Sequence, residues 1–192
     1  MPPKAKFTRE EVISAALGIV EQEGEKALTA RSLGGALNSS ARPIFTLFSS
    51  MDEVLTQVIT AAKSVYKSYV DEGLTESPAF KGVGKSYIRF ASERPQLFAL
   101  LFMRDMHGTP DVNYILNLVD DSAKEILRSI VDGYGFDEAT AKKLYVNMWL
   151  YTHGIATLIV TGVCSFSADE ISNMMTDVCT SLIVKYKTQG GK

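Results

Sequence analysis

A chain of 192 residues, 46% apolar and 22% charged, can bury a substantial core without disulfides or metals, as one large domain or two small ones. Its net charge of −2 excludes a protein that coats nucleic acid indiscriminately, while leaving room for a local basic face. The two cysteines, Cys164 and Cys179, fall in helical patterns and no secretory motif opens the sequence, so reduced thiols in a cytoplasmic protein are expected, with a disulfide as the alternative.

Helical periodicity dominates and strand alternation is absent. Thr8-Arg-Glu-Glu11 is a capping box that opens a first helix, in which Ile13, Ala16, Leu17 and Val20 recur at three- and four-residue spacing until Gly24. Thr29 can cap a second, short helix with Leu33 and Leu37 on its inner face, and Asn38 tolerates the left-handed turn that ends it. Ser40 is expected to cap a third helix, with Ile44 and Phe45 inward and Phe48 closing the cluster. Two short helices joined by a tight polar turn form a helix-turn-helix, and a first turn offering Ser40, Ala41 and Arg42 suits the major groove of DNA in size and polarity. Up to residue 50, Lys4, Lys6, Arg9, Lys26, Arg31 and Arg42 balance Glu10, Glu11, Glu21, Glu23 and Glu25, with the positive charges where a DNA face would need them.

Ser50-Met-Asp-Glu53 is a second capping box, and the helix after it carries Val54, Leu55, Val58, Ile59, Ala62, Val65, Tyr66, Tyr69 and Val70 on one stripe. Ser77-Pro78, Arg94-Pro95 and Thr109-Pro110 each read as the start of a further helix, with proline in the first turn. From Leu144 to Ala168 there is no formal charge, a length that could cross a membrane. Asn147, Thr152, His153, Gly154, Thr157, Thr161 and Gly162 interrupt it without a flanking basic cluster, which favours a buried helix that also meets a partner. Ser167-Ala-Asp-Glu170 caps a last helix with Ile171, Met174, Met175, Val178 and Leu182 on one stripe. The fold class is therefore all-α: a three-helix helix-turn-helix domain over residues 1–50, then a helical bundle over 51–192 whose last two helices form a dimerisation face.

With these residues laid out, about the first 60 resemble the TetR (tetracycline repressor) family of bacterial transcriptional regulators, through the joint spacing of Val12-Ile13, Ala15-Ala16-Leu17, Glu23-Gly24, Thr29, Leu33, Ser40, Ile44-Phe45, Phe48 and Asp52-Glu53-Val54-Leu55. Trp149-Leu-Tyr-Thr-His153-Gly154 looks like a Trp-to-His-Gly element of one class of ligand-binding domains in that family, and Arg94-Pro95 through Phe102 is similar to a segment preceding it there. Three positions depart from the family pattern: Asn38 replaces the usual turn glycine, Ser39 an apolar turn residue, and Met51 a lysine that commonly holds a backbone phosphate. Gly34 and Gly35 within so short a helix cost ~2 kcal/mol together relative to alanine.

The resemblance implies a homodimeric, ligand-responsive transcriptional regulator, in the first instance a repressor, that binds a near-palindromic double-stranded DNA operator and is released by a small apolar or aromatic effector. On that reading Lys4, Lys6, Thr29 and Arg31 suit phosphates, and Arg42 a guanine edge. Ser39, Ser40 and Thr46 add weaker contacts, and Ala41 or Pro43 meets a thymine methyl. Phe45 lies where the family favours tyrosine; lacking the hydroxyl, it is expected in the core. Bulky side chains at helical spacing fill the second domain, among them Phe80, Tyr87, Phe90, Phe98, Phe102, Met103, Met148, Trp149 and Tyr151. Most such residues are core; the first expected to line a ligand cavity are Phe102, Met106, Trp149 and His153. His153 on an apolar helix is also read as a hydrogen-bonded core or interface histidine. No cofactor or metal is expected, because neither histidine has a second ligand at helical spacing, and no nucleophile–base pair supports an enzyme. Met51, Ser39 and the weak basic charge keep one alternative open: a helical small-molecule-binding or interaction protein with degenerate DNA binding.

Overall fold

The computed structural model describes residues 6–104 and 122–190. The described residues hold eight α-helices and no strand: α1 (Arg9–Glu23), α2 (Ala30–Ala36), α3 (Met51–Leu74), α4 (Ala79–Glu93), α5 (Pro95–Phe102), α6 (Ala123–Tyr134), α7 (Glu138–Val160) and α8 (Ala168–Gly190). Two 3₁₀ turns, Glu25–Ala27 and Ile44–Thr46, complete them. The chain groups into two compact units, one of residues 1–65 with 94–104 and the other of residues 66–93 with 105–192. Helix α3 thus begins in the first unit and ends in the second, and α5 lies with the first.

In the first unit the capping boxes form as the residue types dictate. Thr8 accepts from the Glu11 amide at 3.2 Å while the Glu11 carboxylate accepts from the Thr8 amide at 2.8 Å. Gly24 ends α1 at φ 86°, and Thr29 caps α2 with Ser32 as its reciprocal partner. Asn38 takes φ 48°, the left-handed turn that its short polar side chain tolerates. The core closes on Val12, Ala16, Val20, Leu33, Ile44, Phe48, Val54, Val58, Ala62, Leu97 and Phe98, all buried, with α5 packed on α1.

The third helix expected after Ser40 is instead the single 3₁₀ turn Ile44–Thr46, and Ser40 caps nothing within it. The reason lies in what surrounds it. Thr46 Oγ1 donates to the Pro43 carbonyl at 2.6 Å, and the Arg9 guanidinium takes the Leu47 carbonyl. Ser49 donates through its amide to the Glu53 carboxylate at 2.7 Å, and the Glu53 amide donates to Ser50 Oγ at 3.2 Å. With these groups committed, the chain has no length left in which to propagate an α-helix. Phe45 is consequently 46% exposed rather than part of the core, because the tighter winding turns Ile44 inward and its neighbour outward.

In the second unit, α4 packs on α7, α6 on α4 and α7, and α8 on α7 and α4. Helices α3 and α4 meet backbone to backbone: a Cβ added at Gly82 would lie 2.2 Å from the Gly73 carbonyl oxygen. Phe90, Ile126, Ile130, Ala141, Leu144, Ile155 and Ala156 are buried in the core of this unit. Ser167 and Glu170 cap α8 reciprocally, the Ser167 amide donating to the carboxylate at 2.7 Å. No described helix is long and apolar enough to cross a membrane.

Candidate functional site

Each unit holds a surface that invites a ligand. In the first, the turn after α2 and the 3₁₀ segment expose Ser40, Arg42, Phe45 and Thr46, while Ser39, Ala41 and Pro43 are half-buried beneath them. Gly34 makes this turn possible, since a Cβ there would sit 3.1 Å from the Ser39 carbonyl oxygen and the Ala41 amide. Lys6 Nζ donates to Ser39 Oγ at 3.0 Å, bringing the N-terminal arm to the same turn. Arg31 and Arg42 are exposed and make no ion pair with a described residue. Thr29 is exposed, yet its hydroxyl already accepts from the Ser32 amide at 3.1 Å, as the capping role requires. Lys4 lies outside the described residues.

Behind this turn, Arg9 organises the segment. Its guanidinium stands 4.1 Å from the Phe48 ring centroid and binds Glu53 at 2.6 Å. The Glu53 carboxyl is held down to about 2 by the Arg9 hydrogen bond first, then by the Ser49 amide and hydroxyl.

In the second unit a cavity of about 280 Å³ opens between helices. Phe80, Val83, Gly84 and Tyr87 of α4 form one wall at i, i+3, i+4 and i+7. Tyr145, Met148, Trp149 and Thr152 of α7 form a second, Met175, Thr176, Cys179, Thr180 and Ile183 of α8 a third, and Tyr66 and Tyr134 complete it. Among the described lining residues, Lys81 alone carries a charge. The ring edge of Tyr66 meets Tyr87 with centroids 5.9 Å apart, and Trp149 stacks flat on His153 at 4.6 Å and 7°. Tyr87 Oη and His153 Nδ1 share a hydrogen bond of 2.9 Å.

Burial sets the ionisation of this wall. Desolvation raises the Tyr66, Tyr87 and Tyr145 phenols well above their ordinary value and pushes Tyr134 up to about 12, with Cys179 adding to the last. Burial also raises the Cys179 thiol, opposed by the Tyr134 hydroxyl and the Lys81 ammonium, and lowers His153. The wall therefore holds neutral phenols and a neutral thiol, beside a neutral imidazole stacked on Trp149, at ordinary pH. The indole N–H of Trp149 is buried without an acceptor among the described residues, a donor left costly by the apolar packing around it.

Of the four residues first expected to line a cavity, Trp149 does so and His153 backs it from behind the indole. Phe102 sits on α5 in the first unit, its ring 5.2 Å from Phe98, and is not among the lining residues. Met106 lies outside the described residues. Phe90 and Phe98 are core, as aromatic stripes usually are. The sequence pattern did not assign Tyr66, Lys81, Tyr145 or the α8 face of Met175, Cys179 and Ile183 to the cavity, although the four-residue spacing of that last trio was a usable signal.

Among the described residues no cluster of His, Cys, Asp or Glu could hold a metal. Both cysteines are free, Cys164 exposed after α7 and Cys179 half-buried in the cavity wall.

The cavity-bearing segment matches a known family: the profile described as tetracyclin repressor-like, C-terminal domain, covers residues 80–179. An uncharacterized HTH-type transcriptional regulator of Mycobacterium tuberculosis, Rv0681, is 24% identical over 167 residues, 83% of this chain and 73% of the relative. Among solved structures, a Rhodococcus sp. RHA1 protein of unknown function superposes with a TM-score of 0.70 at 16% identity, over 96% of this chain and 98% of that one. A TetR variant from Acinetobacter baumannii AYE in complex with minocycline superposes with a TM-score of 0.56 at 14% identity, over 97% of this chain and 100% of that one. These two likenesses speak to fold; the profile over the very helices that wall the cavity speaks to descent, and the chain belongs to the tetracyclin repressor-like (TetR) family of transcriptional regulators.

Proposed function

We propose that this TetR-family protein is a ligand-responsive repressor, binding a near-palindromic operator as a homodimer and releasing it when a small apolar or aromatic effector fills the cavity of the second unit. The observation that carries the reading is that cavity: about 280 Å³, walled by aromatic and methionine side chains, most of them within the segment that the family profile covers. Support for DNA binding comes from Arg31 and Arg42, which are exposed and make no ion pair with a described residue, on either side of a turn that Gly34 lets close; on this reading Arg42 reads a base edge and Arg31 and Lys6 hold phosphates. The exposed ring of Phe45 adds an apolar contact that its sequence position did not suggest.

Helix α3 supplies the connection, because one uninterrupted helix carries Met51 at its start and the cavity residue Tyr66 two-thirds of the way along. An effector that fits better with α3 displaced shifts the population away from the DNA-competent state, and by linkage the operator weakens effector binding by the same factor. A coupling of ~1–3 kcal/mol is typical of such devices. For the dimer, α7 and α8 leave Leu150, Leu158 and Val184 exposed, apolar groups at helical positions that a second copy would cover. Two heads related by a dyad would then enter successive major grooves about 34–36 Å apart.

The test is selection of bound duplexes from a random pool, followed by titration of the enriched site with wild type and Arg42→Ala. Enrichment of a two-fold symmetric sequence, with Arg42→Ala weakened by ~1–3 kcal/mol and relaxed at one base position, is the expected result. A second reading, a small-molecule binder whose head no longer binds DNA, has its own observation: Lys6 occupies Ser39, Thr29 is committed to its cap, and Met51 offers no charge to a phosphate. A pool that yields no enriched sequence while ligand still binds decides for it.

A further inference from the structure

We infer that the cavity of the second unit selects an amphiphilic anion: a ligand with an apolar body of about two rings and one acidic group, the body among the aromatic side chains and the acid on Lys81. The inference rests on the reading of this cavity as the effector site and adds the chemistry of its occupant.

Size comes from volume. An apolar cavity of about 150 Å³ holds one benzene, and the 280 Å³ here is a little under twice that. Charge comes from Lys81. It is half-buried, the single charged residue of the lining among the described residues, and it has no ion pair with any of them. Lys67, Lys85 and Lys142 of the same unit are paired, with Asp71 at 2.6 Å, Glu76 at 2.7 Å and Glu138 at 2.7 Å, and Lys124, Lys143, Lys185 and Lys187, which have no ion pair with a described residue either, are exposed and line no part of the cavity. An acid brought by the ligand would supply the Lys81 ammonium with a counter-ion and a charge-assisted hydrogen bond at the edge of an otherwise apolar wall. No other described residue of the wall opposes an anion: the lining holds no Asp or Glu, and burial keeps the tyrosine phenols and the Cys179 thiol in their neutral forms.

The experiment is calorimetric titration of the full-length protein with 2-naphthoate, its neutral amide and 2-naphthylmethylammonium, in wild type, Lys81→Met and Lys81→Arg. Thermal melts establish that each variant is folded. The expected result is that wild type prefers the acid over the amide by about tenfold or more, that Lys81→Met removes the preference while leaving the amide within about twofold, and that Lys81→Arg retains it. Equal affinity for acid and amide in wild type, tighter binding of the ammonium, or acid binding unchanged in Lys81→Met overturns the charge assignment and leaves the cavity standing as a ligand site. Absence of binding by all three probes at millimolar concentration counts against the cavity itself, and the inference falls with it.

Discussion

Arg9 braces the turn proposed to face DNA, because it meets a ring, a carbonyl and a carboxylate at once. Its effect on Glu53 gives a pH signature. A carboxyl held at about 2 instead of 4.5 stabilises the fold at pH values above 4.5, and that contribution disappears as pH falls through about 2. Wild type should therefore melt above Glu53→Gln by a constant margin at neutral pH, and the margin should shrink steadily between pH 4.5 and 2. A margin that does not change with pH would show that Glu53 acts through shape alone. Two adjacent glycines make a second contrast at this scale. Gly35 is exposed with open space around a would-be Cβ, so Gly35→Ala should stabilise by about 0.5–1 kcal/mol. Gly34 faces the backbone of the turn, so Gly34→Ala should destabilise, and denaturant titration of the pair separates the two signs. From the sequence both glycines carried the same helix penalty; only packing against Ser39 and Ala41 distinguishes them.

Among the elements, the caps were the most legible part of the sequence, since a Thr or Ser with a reciprocal side chain three residues later acts through local geometry alone. The 3₁₀ turn at Ile44–Thr46 was not legible, because it depends on Arg9 reaching the Leu47 carbonyl from a helix 38 residues earlier. The α3–α4 crossing was hidden for the same reason. Gly73 and Gly82 look like ordinary helix-weakening residues until two helices bring them face to face. Gly82→Ala should cost about 3 kcal/mol, because its Cβ would meet the Gly73 carbonyl oxygen and the Glu76 Cβ, neither of which can turn away as the end of a long side chain can. The neighbouring Gly84→Ala should cost much less, since the atom in its way is the flexible end of Met175. Equal losses in the two variants would refute the close-approach argument.

For the whole molecule the sequence conveyed class and kinship well and the ligand site only in part. Aromatic stripes announce buried helices but not which gaps between them stay open, and a cavity wall drawn from α3, α4, α6, α7 and α8 has no linear trace. Trp149 was identified through resemblance, whereas Lys81 was missed because a lone lysine on a helix usually faces water. At this scale the proposed dimer gives a direct prediction. Leu158→Glu combined with Val184→Glu should shift the protein in light scattering from two subunits to one and weaken operator binding by more than tenfold, with helical content unchanged. A wild-type protein that sediments as one subunit at micromolar concentration would end that account. The two thiols, finally, differ in the access they offer: Cys164 is open to solvent, whereas Cys179 belongs to the cavity wall. Alkylation of Cys164 should proceed alike with or without a bound compound and can serve as an internal clock, while modification of Cys179 should slow in proportion to occupancy. Mass spectrometry of the two peptides would then convert a reagent time course into a binding isotherm, with no need to know in advance which compound the protein recognises.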